Sequence, residues 1–302
     1  MLRSRIFIGQ PMHSNNKRPA DAPIRGVLMM CFAVACFAGM NGFVKELRVQ
    51  ELPLIEIIWG RYFFHTVIVL ALFPRRIPKL LSGSDKGLQV LRSILVLVAT
   101  ACMFSAVGFM PLADAVAITF IAPLLISALS VPLLKERVGV RRWIAVVIGF
   151  VGMLIIIRPG GGLFQLAALL PIGVTVFYAF YQIITRVISH RTDPINTVFY
   201  TAIVGGVVMT LAVPFFWQMP TVEQWGLLIV IGVMGGLGHW AIIMAYQRAE
   251  APLVAPFAYT ELIWATLLGI ALFGDYPDVW TLLGAGVIAA SGIYILNREK
   301  AR

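Results

Sequence analysis

PLADAVAITFIAPLLISALSVPLLKERVGVRRWIAVVIGFVGMLIIIRP, residues 111–159, is two oily runs joined by a basic turn. The first run, 112–134, holds one acid, Asp114, near its start. The second, 142–157, is shorter and holds no acid. Between them LKERVGVRR crowds Lys135, Arg137, Arg141 and Arg142 into a few residues. A span needs about 20 apolar residues to cross the hydrocarbon. A basic turn between two such runs is a topology signal, and it puts the turn on the cytoplasmic side.

The rest of the chain follows the same grammar. Of its 302 residues 60% are hydrophobic and only 13% charged, about half the roughly 25% usual in soluble domains. The mean hydropathy is +0.89. The net charge of +10 does not indicate nucleic acid, because the bases sit in short turns between apolar runs. Cys31, Cys36 and Cys102 all lie in apolar runs, so neither a disulfide nor a metal site is expected. Residues 1–23 form a polar tail. The apolar run after them is too long for a signal-peptide core.

Ten candidate helices follow: 24–44, 54–73, 88–108, 112–134, 142–157, 166–187, 195–217, 225–247, 252–273 and 279–296. With a cytoplasmic N-terminus, all of the 24 Lys and Arg except Lys45, Arg48, Arg61 and Arg158 fall inside. Arg92 is counted with those inner bases. Both termini are then cytoplasmic. Trp143, Trp217, Trp225 and Trp280 fall at helix ends, where an aromatic belt belongs.

The chain repeats itself weakly. Pro53–Trp59 aligns with Pro194–Tyr200, an offset of 141 that also sets Phe37 on Tyr178, Asn41 on Gln182 and Lys45 on Arg186. Helices 1–5 therefore match helices 6–10. Five is odd, so the second copy is inverted. Matching loops agree: LKERVGVRR is basic, whereas its counterpart FGDYPD carries two acids and no base. The expected fold is all-α, a polytopic membrane protein of ten transmembrane helices in two inverted five-helix repeats, 24–160 and 161–302. Inverted repeats place a substrate site near the midplane and support alternating access.

Arg61 in helix 2 and the block 111–159, with Pro123, Glu136, Gly149 and Gly152, resemble the drug/metabolite transporter superfamily, in its ten-helix EamA-type branch. The resemblance covers all ten helices. It departs in the second copy, where Glu261 stands near the position of Pro123 and Asp275 replaces the loop glutamate. It implies secondary transport of small metabolites or amino acids across the inner membrane, often outward.

Charges deep in apolar runs mark the candidate site. Arg61 lies halfway along helix 2, His65 one turn further on the same face, and Glu261 near the middle of helix 9. An unpaired charge at that depth costs at least about 2.5–3.5 kcal/mol, so each needs a partner or a wet cavity. Arg61 and Glu261 are expected to face one cavity, as a pair or as separate carboxylate and ammonium or proton sites. A structural ion pair is the plain alternative. Glu56 sits at the cavity's outer mouth or reaches outer water. The other candidate binding residues are Asn41, Trp59, Tyr178, Tyr181, Gln182, His239, Tyr246, Tyr259 and Trp264. Each also has a structural reading, as an interhelical hydrogen bond or packing contact. Ala145-xxx-Gly149, Gly232-xxx-Gly236 and Gly286-xxx-Ala290 read as close helix contacts. Pro111, Pro252 and Pro256 begin helices or bend them.

No H-E-x-x-H, G-x-S-x-G or P-loop occurs, so neither a common intramembrane enzyme nor an ATPase is indicated. RPGGGL at Arg158 reads as an outer connector between the halves. The reading is a carrier without cofactor that exports amino acids or related metabolites. Uptake of a cationic metabolite such as S-adenosylmethionine is the alternative, and an intramembrane enzyme a more distant one. Its partners are a small-molecule substrate and membrane lipid. Monomer and dimer both stay open.

Overall fold

The structure is a computed structural model that describes residues 22–72, 74, 85–134, 139–158, 163–188, 192–249 and 251–300. The polar tail up to residue 21, the bases of 135–137 and the glycines of 160–162 lie outside the described residues. Ten helical rods follow one another among them. They are α1 (Ala22–Val49), α2 (Leu54–Leu72), α3 (Lys86–Ala106), α4 (Leu112–Thr119 with Ala122–Leu134) and α5 (Val140–Ile157). Then come α6 (Leu163–Ile188), α7 (Pro194–Ala212), α8 (Val222–Arg248), α9 (Ala251–Phe273, in pieces) and α10 (Val279–Lys300). Eight are long and apolar enough to cross a membrane, and α5 and α10 are shorter apolar helices.

Two rods expected to be continuous are broken. In α4 the helix stops at Thr119 and restarts at Ala122. Pro123 explains this: it has no N–H for the Thr119 carbonyl, and its ring crowds that carbonyl. In α9 a four-residue helix, Ala251–Val254, gives way to a 3-10 segment, Ala255–Thr260, around Pro256. The α-helix resumes at Glu261 and ends in a π turn, Gly269–Phe273. Both breaks therefore sit at matching places in the two halves. α7 stops at Ala212, short of the expected 217, because Pro214 turns the chain into a 3-10 segment.

The packing shows the two inverted repeats. α1 packs on α8 as α6 packs on α3; α2 packs on α8 as α7 packs on α3; α1 meets α9 as α6 meets α4. α2 packs on α7, and α5 on α10. Adding or subtracting five from every number turns this set into itself. Small residues permit the closest crossings. Gly149 and Gly152 of α5 lie against Leu124, Ile288 and the Gly284 backbone, so a side chain at either would clash. Gly232 of α8 lies against the Gly60 carbonyl and Phe64 of α2. Gly286 was the expected contact on α10, but a methyl group placed there would meet nothing within 4 Å among the described residues. Gly284, about half a turn away, makes the crossing instead.

The buried core draws on all ten rods and is densest in α1–α4. It includes Val44, Ile57, Tyr62, Phe104, Ile118 and Leu228. Many outward apolar residues, among them Ile144, Val147, Phe150 and Val151 on α5, stay exposed. In water that would be an unusual surface, but in lipid it is the surface required.

Candidate functional site

A cavity of about 920 Å³ lies between the repeats. Ligand sites are typically about 300–1,000 Å³. Its lining runs from exposed Tyr246, Gln247 and Pro123 to buried Met40, Asn41 and Phe104. Tyr246 and Gln247 lie near the end of α8, and Thr185 near the end of α6. Thr197 lies in the first turn of α7. All four sit towards the face that carries both ends of the described chain. The cavity therefore opens on that face.

The structure brings most of the predicted residues to this one space. Asn41, Arg61, His65, Tyr178, Tyr181, Gln182, His239, Tyr246, Tyr259 and Glu261 all line it. The Arg61 guanidinium donates to the Tyr62 hydroxyl at 3.1 Å and to the Thr100 hydroxyl. It also lies over the Tyr62 ring, 4.8 Å from its centre. His65 and His239 stack in parallel, 5.9 Å between centres, and Phe37 meets His239 edge-on at 5.2 Å. Tyr178 and Tyr181 stack at 5.5 Å, and Gln182 donates to the Tyr178 hydroxyl at 2.8 Å.

Arg61 and Glu261 share the cavity but form no ion pair with each other. Glu261 instead opens the α-helical part of α9, where the helix dipole favours a carboxylate. Four buried polar atoms on the cavity residues have no hydrogen-bond partner among the described residues: Asn41 Oδ1, Arg61 Nε, His65 Nε2 and His239 Nε2. A buried unsatisfied group costs about 1–3 kcal/mol, so this region is polar beyond what packing alone needs.

The opposite face is closed by ties between the repeats. Lys45, near the end of α1, pairs with Asp275 after α9. Arg158, just past α5, pairs with Asp278 before α10. The Thr281 hydroxyl of α10 donates to Asp114 of α4 at 2.7 Å. Slight burial acts to raise the Asp278 carboxyl. The hydrogen bonds from Thr281 and the Arg158 charge outweigh it and hold the group below its ordinary range.

The sequence matches the EamA-like transporter family twice, over residues 24–158 and 165–298. The chain belongs to the EamA-like transporter family. It is similar to the riboflavin transporter of Vibrio cholerae, 33% identical over 92% of this chain and 94% of that protein. It is also similar to the S-adenosylmethionine uptake transporter of Rickettsia bellii, 28% identical over 86% of this chain and 89% of that one. The pseudopaline exporter of Pseudomonas aeruginosa is 28% identical over 91% of this chain and 96% of its own length. A crystal structure with 15% identity covers 91% of this chain and 98% of its own at a TM-score of 0.64, a likeness of fold. This EamA-family protein is thus a multi-pass membrane transporter of the drug/metabolite type.

Three predicted placements in this EamA-family transporter need correction. Trp59 does not line the cavity. Its ring stacks on Phe63 and meets Phe64, Trp217 and Trp225 edge-on, and its indole N–H reaches the Thr210 hydroxyl at 3.2 Å. Trp264 is 40% exposed and lies outside the cavity lining. Glu56 reaches neither a cavity mouth nor outer water; it is fully buried and accepts from the Gln218 backbone N–H. It fastens the connection after α7 to α2.

Arg92 was read as an inner topology charge. It lies instead in α3, is only 2% exposed and lines the cavity. Its signal in the sequence was position: it stands two turns into an apolar helix, one turn after Gln89. Thr100, Phe104 and Phe120 also line the cavity. They carry no sequence signal that separates them from ordinary helix residues.

Proposed function

We propose that this protein is a secondary carrier that moves a planar aromatic metabolite, with riboflavin the first candidate, by alternating exposure of the cavity. The face bearing both chain ends is the cytoplasmic face of the inner membrane. The observation that carries this reading is the lining itself. Stacked Tyr178 and Tyr181, with Phe37, Phe104, Phe120 and Tyr259, put aromatic rings around a space that also carries Arg61, Arg92, Glu261, two histidines and several hydroxyls and amides. Rings of this kind bind flat solutes by stacking, and the polar groups between them fix orientation. The Vibrio relative named for riboflavin supports the same class.

A cationic metabolite such as S-adenosylmethionine is the second reading. Glu261 favours it, as the one carboxylate among the residues that line the cavity. Arg61 and Arg92 oppose it, because two cations face the same space. Amino acid export, the leading class from sequence alone, would use Arg61 and Glu261 at opposite ends of one zwitterion.

Sealed liposomes carrying the protein test the choice. Riboflavin, S-adenosylmethionine and tryptophan are offered separately, with and without a pH gradient. Saturable riboflavin flux that Arg61→Ala removes supports the reading. Flux of S-adenosylmethionine alone, lost in Glu261→Gln, replaces it with the second.

A further inference from the structure

Arg92 is the one strongly charged residue of the cavity wall that joins the two repeats by hydrogen bonds. Its Nε donates to the Thr185 hydroxyl of α6 at 3.0 Å. One Nη donates to the Thr197 carbonyl of α7 at 2.9 Å and to Gln89 at 3.1 Å. The other donates to the Tyr181 hydroxyl at 2.8 Å, and the guanidinium carbon sits 4.6 Å from the Tyr181 ring centre. A guanidinium has five N–H donors, and four acceptors hold this one in place. It is a fixed part of the wall, unlike Arg61, whose Nε has no partner among the described residues.

A topology charge would be served by an exposed base, and packing would be served by leucine without the cost of desolvating a cation. Arg92 does neither job economically. What its fork does uniquely is fix the Tyr181 ring, which stacks on Tyr178 at 5.5 Å as one side of the cavity. We propose that Arg92 is a positioning residue that sets selectivity for planar solutes by holding Tyr181 as a rigid stacking wall. The proposal rests on the reading of this cavity as the solute site.

The test uses full-length protein in sealed liposomes with riboflavin, S-adenosylmethionine and tryptophan as probes. Arg92→Lys keeps the charge but loses the fork, while Tyr181→Phe keeps the ring but loses the hydroxyl. Each is expected to raise KM for riboflavin roughly tenfold with little change in maximal rate, as loss of one well-placed hydrogen bond does. The double variant is expected to be no worse than Arg92→Lys, because both remove one shared interaction. Thr185→Val, which removes the Nε acceptor, is expected to give a smaller shift in the same direction. It carries the test with Tyr181→Phe if Arg92→Lys does not insert. A strut that only holds the fold would lower the amount of folded carrier and leave KM alone. Unchanged KM in the variants, with wild-type flux present, overturns the proposal and leaves the proposed function standing. Absence of wild-type flux for all three probes overturns both.

Discussion

The two ends of the molecule hold the same pair of repeats together by different chemistry. At the closed end, Lys45–Asp275 and Arg158–Asp278 are salt bridges near the boundary, and Thr281 adds a hydrogen bond to Asp114. At the open end, Arg92 reaches α6 and α7 from inside the cavity wall, through neutral acceptors. Pairs near water are cheap to break and remake. The proposed alternating access needs a closure of this kind, because that face must open in its turn. The Arg92 clasp is buried and its guanidinium is held by four acceptors, so it belongs to the architecture of the wall. The difference teaches which contacts are built to change and which to stay.

The largest expected effect breaks the site and spares both ends. Arg61→Ala removes the cation over Tyr62 and the hydrogen bonds that the guanidinium gives to the Tyr62 and Thr100 hydroxyls. Flux should fall about 30–100-fold, the equivalent of roughly 2–3 kcal/mol, with normal amounts of protein in the membrane. Equal loss of flux and of folded protein would make Arg61 a packing residue instead.

The closed end offers the next comparison. The Lys45–Asp275 side chains are 14% and 24% exposed, whereas those of Arg158–Asp278 are 47% and 40% exposed. A better-shielded pair is worth more. Lys45→Ala should therefore raise labelling of a cavity cysteine from the closed side about tenfold. Arg158→Ala should raise it only about twofold, as expected of an exposed pair. Reversal of that order would mean that burial does not rank the ties.

Acid sharpens the same point. The Asp278 carboxyl is depressed in the folded protein, so its contribution is present above the ordinary carboxylate pKa. It is lost as pH falls through the lowered value. The ratio of closed-side to open-side labelling, in which the thiol's own titration cancels, should be flat from about pH 8 to 5 and rise only below the range where an ordinary carboxylate protonates. In Asp278→Asn that low-pH rise should shrink. The smallest effect is at Trp264, which faces away from the cavity. Trp264→Phe should leave riboflavin KM within about twofold of wild type.

Much of this was legible in the sequence because lipid leaves few options. Apolar runs of span length and basic turns located the ten rods, and Arg61, His65 and Glu261 stood out as polar residues in oil. The broken rods were less legible. Pro123 and Pro256 can end, start or bend a helix, and only the packed structure selects among these. Arg92 was hidden by its company, since Lys86 and other bases nearby look like topology signals. Trp59 and Trp264 misled for the opposite reason. A tryptophan in a span serves packing, lipid or ligand equally well, and its side of the helix decides.

Sided accessibility of the cavity tests the central claim most directly. Cys31, Cys36 and Cys102 are replaced, Ser127→Cys is introduced at the cavity wall, and a membrane-impermeant maleimide is applied to inside-out and right-side-out vesicles. The account predicts labelling at least about tenfold faster in inside-out vesicles, slowed by riboflavin. Equal labelling from both sides, or labelling that no solute slows, would contradict it.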